Sequence, residues 1–179
     1  MAFRGLVNDQ REFEEKRFRA RGNYVYATLG VERMQKLPAD MTLFLKLDGQ
    51  VADQPLISNE QFSAGGMNSV RGYKESEVLG DDAFHTTVEF SAPDLADLFK
   101  VSDYVNFTPY LFYDFAALRV RSPLEGQDSS PSIQGAGVGV RGYVSRFFEF
   151  QSDWAVALSD TDQTEKEDST FHFKVKCLF

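Results

Sequence analysis

The chain has 179 residues, 27 of them acidic against 19 lysines and arginines, for a net charge of −8. That length allows one domain and hardly two, and 42% hydrophobic with 26% charged residues excludes disorder, collagen and simple repeats. The acidic balance argues against a nucleic-acid partner, and one cysteine, Cys177, with two histidines, His85 and His172, excludes a disulfide framework and a Cys/His zinc site.

Aromatic residues are the stronger signal: 17 Phe, 7 Tyr and 1 Trp. Mean hydropathy is only −0.34, and no run of 18 apolar residues occurs, so a transmembrane helix is excluded. A transmembrane β-barrel is not, because its strands alternate lipid-facing and lumen-facing residues and so average to no net hydropathy. The stretch from Met1 to Asp9 carries no signal-peptide pattern. On that reading the chain either stays in the cytosol or lacks its true N-terminus.

In chain order, 21–35 and 41–53 read as strands, the second with Met41, Leu43, Leu45, Leu47 and Val51 alternating with Thr42, Lys46, Asp48 and Gln50. The tight Leu37-Pro38-Ala39-Asp40 joins them. Segment 54–83 is far longer than an ordinary loop, and its mix of glycines with apolar and aromatic residues predicts an ordered, functional one. In 84–92, Phe84, Thr86, Val88 and Phe90 oppose His85, Thr87, Glu89 and Ser91. The clearest alternation is 103–119: Val105, Phe107, Pro109, Leu111, Tyr113, Phe115 and Ala117 against Asn106, Thr108, Tyr110, Phe112 and Asp114. In 132–144 the glycines Gly135, Gly137 and Gly139 alternate with Ala136, Val138 and Val140. Residues 146–158 set Phe148, Phe150, Trp154, Val156 and Leu158 against Glu149, Gln151 and Asp153. At the end, Phe171, Phe173, Val175, Cys177 and Phe179 oppose His172, Lys174, Lys176 and Leu178.

These are seven antiparallel strands with one face for lipid and one for a wet interior. About ten residues at roughly 3.3 Å each, tilted about 40°, span on the order of 25 Å, the height of a barrel's apolar band. Tight turns alternate with the long polar segments 54–83, 120–131 and 159–168, the layout of an outer-membrane barrel. Segment 159–168 is acidic but lacks the glycine and ligand spacing of a calcium loop, and reads as solvated. Gly135-x-Gly137-x-Gly139 precedes another strand and no helix, which argues against a nucleotide loop. The inward Lys46, Asp48, Glu89, Asp114, Arg141, Glu149, Asp153, His172, Lys174 and Lys176 suit a hydrated channel, and no Ser/His/Asp constellation points to an enzyme.

Two motifs carry a family resemblance. Glu60-Gln61-Phe62-Ser63-Ala64-Gly65-Gly66, followed by Val70-Arg71-Gly72-Tyr73, resembles the loop of the two-partner secretion transporters, the haemolysin secretion/activation proteins. Phe112-Tyr113-Asp114-Phe115-Ala116 is similar to the family's Phe-x-Asp-x-Gly strand motif, with Ala116 where glycine is usual, and Phe179 resembles the C-terminal aromatic used as an assembly signal. The resemblance implies an all-β fold, an antiparallel transmembrane barrel in the bacterial outer membrane. This chain would supply about the last seven of sixteen strands, over 1–179, without the family's POTRA domains and signal peptide. On that reading it is a C-terminal fragment.

The resemblance further implies export of a large partner protein such as a haemolysin or adhesin. The loop 54–83 would fold into the lumen, with Val70, Arg71, Gly72 and Tyr73 at its tip and Arg71 bonded to Asp114 beside Phe112. Period two independently turns Asp114 inward, where a planar guanidinium is a fitting partner. Tyr73 and Phe112 are expected to pack around the pair, Glu89, Arg141, Glu149 and Lys174 to line the lumen, and Phe179 to act in assembly. Expected partners are the exported protein, outer-membrane lipid and the barrel-assembly machinery, with no nucleic acid, cofactor, metal or catalytic residue. Two other readings stay open: a barrel-assembly insertase of the same superfamily, and a soluble lipid-binding barrel whose Phe-rich faces 105–117 and 148–158 enclose a ligand.

Overall fold

A computed structural model describes residues 24–100 and 104–178, apart from the side chain of Arg146. Seven long strands form one antiparallel sheet: β1 Tyr26–Lys36, β2 Thr42–Ala52, β5 Asp82–Ser91, β6 Val105–Arg119, β7 Ser132–Val144, β8 Phe148–Ala157 and β9 Ser169–Cys177. They pair in sequence order with one insertion, between β2 and β5. Among the described residues β1 and β9 are edges, so the sheet is not closed. The predicted strands agree with these to within a few residues. Residues 21–23, Asp103 and Phe179, which the sequence reading also used, lie outside the described residues.

The insertion is shorter than the predicted 54–83, because β5 already begins at Asp82. It is also more structured: a 3₁₀ turn at Ser58–Glu60 leads into a small hairpin of β3 (Phe62–Ala64) and β4 (Val78–Gly80). At the opposite end of the sheet the β1–β2 and β7–β8 connections are tight. Ala39 and Asp40, both at positive φ, close the β1–β2 hairpin. Between β5 and β6 a one-turn helix, α1 (Leu95–Leu98), is capped by Asp94, which accepts from Ala96 N at 2.9 Å.

Period two sorts the side chains as predicted. Along β6, Tyr110, Phe112, Asp114, Ala116 and Leu118 are buried while Phe107, Leu111 and Tyr113 are exposed. Leu47, Phe84, Phe90, Val138, Trp154, Phe171 and Phe173 extend the exposed apolar surface across the sheet. The insertion lies on the other face. There Ala64, Val70 and Tyr73 pack with Ala116, Leu118, Ile133 and Ala157 into the main core. The Phe-rich faces therefore point away from the filled side, the reverse of what a ligand-enclosing soluble barrel requires.

Candidate functional site

The site begins with two carboxylates that fasten the base of the insertion. Asp81 is fully buried, accepting the backbone N–H of Leu56 at 2.8 Å on one oxygen and that of Arg121 at 2.7 Å on the other. Gln50 donates to the carbonyls of Glu60 and Asp81, both at 3.2 Å. The neighbouring Asp82 accepts from Ala52 N at 2.8 Å and pairs with Arg121 at 2.9 Å. Both ends of the insertion are thus tied to the same corner of the sheet.

The motif Glu60 to Gly66 acquires a physical reading here. Tyr26 donates its hydroxyl to Glu60 at 2.8 Å, and the ring of Phe62 lies 6.3 Å from that of His85, a buried residue bonded through Nδ1 to Asp48 at 2.9 Å. Ala64 is buried in the core, where little space remains. Gly65 and Gly66 sit at φ of 115° and 95°, and a Cβ at Gly66 would collide with the Glu75 carboxylate. That carboxylate accepts from Met67 N at 3.0 Å and so fixes the turn.

The insertion ends in Val70, Arg71, Gly72 and Tyr73, of which Val70 and Tyr73 are fully buried. Arg71 Nε donates to Asp114 Oδ2 at 2.7 Å and Nη2 to Oδ1 at 2.9 Å, a two-pronged pair, and its backbone N–H reaches the same carboxylate at 3.2 Å. Nη1 donates to Glu89 at 2.8 Å and lies 3.8 Å from Asp153. The guanidinium carbon stands 3.5 Å from the centroid of the Phe112 ring. Burial by itself would lower the Arg71 pKa; the hydrogen bonds and charge of Asp114, then of Glu89, outweigh it and leave it raised, so the group stays a cation.

A second layer holds the first. Arg141 bonds the other oxygen of Glu89, and its guanidinium carbon lies 3.9 Å from the centroid of Tyr110. The Tyr110 hydroxyl donates to Asp153, whose other oxygen accepts from Gln151 at 2.9 Å. Strand β7 makes room for all of this. A Cβ at Gly135 would overlap the Arg71 carbonyl, one at Gly137 would meet the Phe112 ring, and one at Gly139 would meet Tyr110 and Asp153. The inward glycines are where the tip and the two rings lie.

The family model of the haemolysin secretion/activation proteins ShlB/FhaC/HecB matches residues 4–142, a span that includes the insertion, Arg71 and Asp114. The chain belongs to that family. No curated protein matches it.

Within this family member, the predicted site residues fall into three groups. Val70, Arg71, Gly72, Tyr73, Phe112, Asp114 and Glu89 converge. Three of them have different surroundings from those expected. Phe112 offers its ring face to the guanidinium, beyond simple packing. Tyr73 is a polar anchor: its hydroxyl lies 2.9 Å from the carbonyls of Gln134 and Ser159 and accepts from Ser159 N at 3.0 Å. Glu89, expected to line open water, is only 5% exposed beneath two arginines. Arg141, Glu149 and Lys174 share the face but lie towards the tight-turn end, where Glu149 pairs with Lys176 at 3.4 Å and both stay exposed. Phe179 lies outside the described residues.

Nothing local in the sequence marks Asp81 for a role or joins Tyr110 to Asp153. Asp81 sat in a polar stretch whose only signal was the Asp81-Asp82 doublet before a strand. Tyr110 and Asp153 were both placed inward by period two, but 43 residues separate them and only strand register brings them together.

Proposed function

We propose that this chain contributes the polypeptide-conducting wall of an outer-membrane transporter of two-partner secretion, and that the insertion between β2 and β5 is its gate. The observation that carries this reading is the seat of Arg71 on Asp114: a cation from a loop tip, dry and doubly hydrogen-bonded, on the polar face of a sheet whose other face is apolar. Export of an unfolded chain needs no catalytic group. It needs a polar path and an obstruction that leaves it, and a loop tip seated through a charged cluster is such an obstruction. Lipid is the fitting neighbour of the exposed Phe-rich face, and a large secreted protein is the fitting substrate. Assembly by the barrel-assembly machinery through Phe179 belongs to the same reading.

The test is secretion of the partner protein by Arg71→Ala and Asp114→Ala variants of the transporter. Secretion is expected to fall while insertion into the outer membrane persists. Unchanged secretion by both variants would overturn the gate.

A further inference from the structure

The carboxylates around Arg71 are carried by the sheet, and two of them have partners of their own, whereas Asp114 is bonded by Arg71. Asp114 and Asp153 are fully buried and Glu89 is 5% exposed. Each stands on a strand paired on both sides, β6, β8 and β5. Asp153 is fixed by Tyr110 and Gln151, and Glu89 by Arg141. The Phe112 ring lies flat under the guanidinium because Gly137 beside it has no side chain to lift it. Three carboxylates are thus set around one planar cation and, among the described residues, share two guanidinium groups, those of Arg71 and Arg141. Withdrawing the loop would remove Arg71 from a site whose other parts, the Phe112 ring, Glu89 on Arg141 and Asp153 on Tyr110 and Gln151, all stand on the sheet.

We propose that this seat is a guanidinium-selective binding site, occupied in the closed state by Arg71, and that arginine side chains of a polypeptide in the lumen take it once the loop withdraws. This rests on the gating reading for the withdrawal. The selectivity rests on geometry: a fork is met by both Asp114 oxygens, a third edge by Glu89, and a flat face by Phe112. A lysine ammonium is a compact point charge that cannot satisfy all four at once.

The experiment is chemical rescue, read by hydrogen exchange over residues 65–73 in the membrane-inserted protein. Arg71→Ala is expected to raise exchange there at least tenfold. Ethylguanidinium at about 10 mM, well above a millimolar dissociation constant, is expected to restore most of the protection, and ethylammonium at equal ionic strength to restore little. Adding Asp114→Asn should abolish the rescue. Should Arg71→Ala not fold by itself, it is refolded with ethylguanidinium or ethylammonium present, and recovery with the first alone carries the same test. If the Arg71 variant exchanges as slowly as the parent, the gating reading itself fails. If exchange rises but the two cations act alike, or rescue survives Asp114→Asn, the gate stands and the guanidinium site is overturned.

Discussion

Two ion pairs occupy the same face of the same sheet. Arg71 and Asp114 are 3% and 0% exposed in their side chains, whereas Lys176 and Glu149 are 58% and 51% exposed. Both carboxylates lie at inward strand positions, Asp114 on β6 and Glu149 on β8, with the cation supplied by the insertion in the first pair and by β9 in the second. The difference is the insertion, which covers the first pair and stops short of the second. Water screens the exposed pair to a contribution of about 0–1 kcal/mol, whereas removing one partner of a dry pair strands the other at a cost of about 3–5 kcal/mol. Charge on a barrel's inner face therefore has no fixed worth.

The comparison can be broken most sharply at Asp114. Asp114→Ala leaves the Arg71 fork without its carboxylate in a dry site, and a loss of about 3–5 kcal/mol is expected in a denaturant titration. A loss below about 1 kcal/mol would mean that the site is wet. Next comes the base of the insertion. Asp81→Ala strips the acceptor from the backbone N–H groups of Leu56 and Arg121, at about 1–3 kcal/mol for each donor left buried. Exchange should rise at those two amides before it rises at 70–73; simultaneous opening would show that base and tip are one unit.

Steric seating gives a smaller effect. Gly135→Ala places a methyl group against the Arg71 carbonyl, and overpacking of that kind costs about 1–3 kcal/mol with every charge left in place. Faster exchange of the loop in this variant would show that the tip is held by fit as well as charge; unaltered exchange would assign the seat to charge alone. The smallest change is expected from Glu149→Ala, about 0–1 kcal/mol in stability and less in high salt. A loss comparable to that at Asp114 would erase the distinction between the pairs.

The sequence by itself determined the seven strands, their antiparallel order and which residues share a face, because period two is a local property that survives without knowledge of any partner. Leu111 and Tyr113 on one side of β6, with Phe112 and Asp114 on the other, follow from alternation alone. The pairing of Arg71 with Asp114 was legible only through the family's motifs, since 43 residues separate them and nothing local links them. Tertiary structure alone decided which charges are dry. Glu89 and Glu149 look alike in the alternation, yet one is buried beneath Arg71 and Arg141 and the other stands in water. It also decided how Tyr73 and Gly72 are held, through Ser159 and Thr170, 86 and 98 residues further along the chain. Burial is a property of what covers a residue, and the covering segment is fixed by contacts that no local pattern encodes.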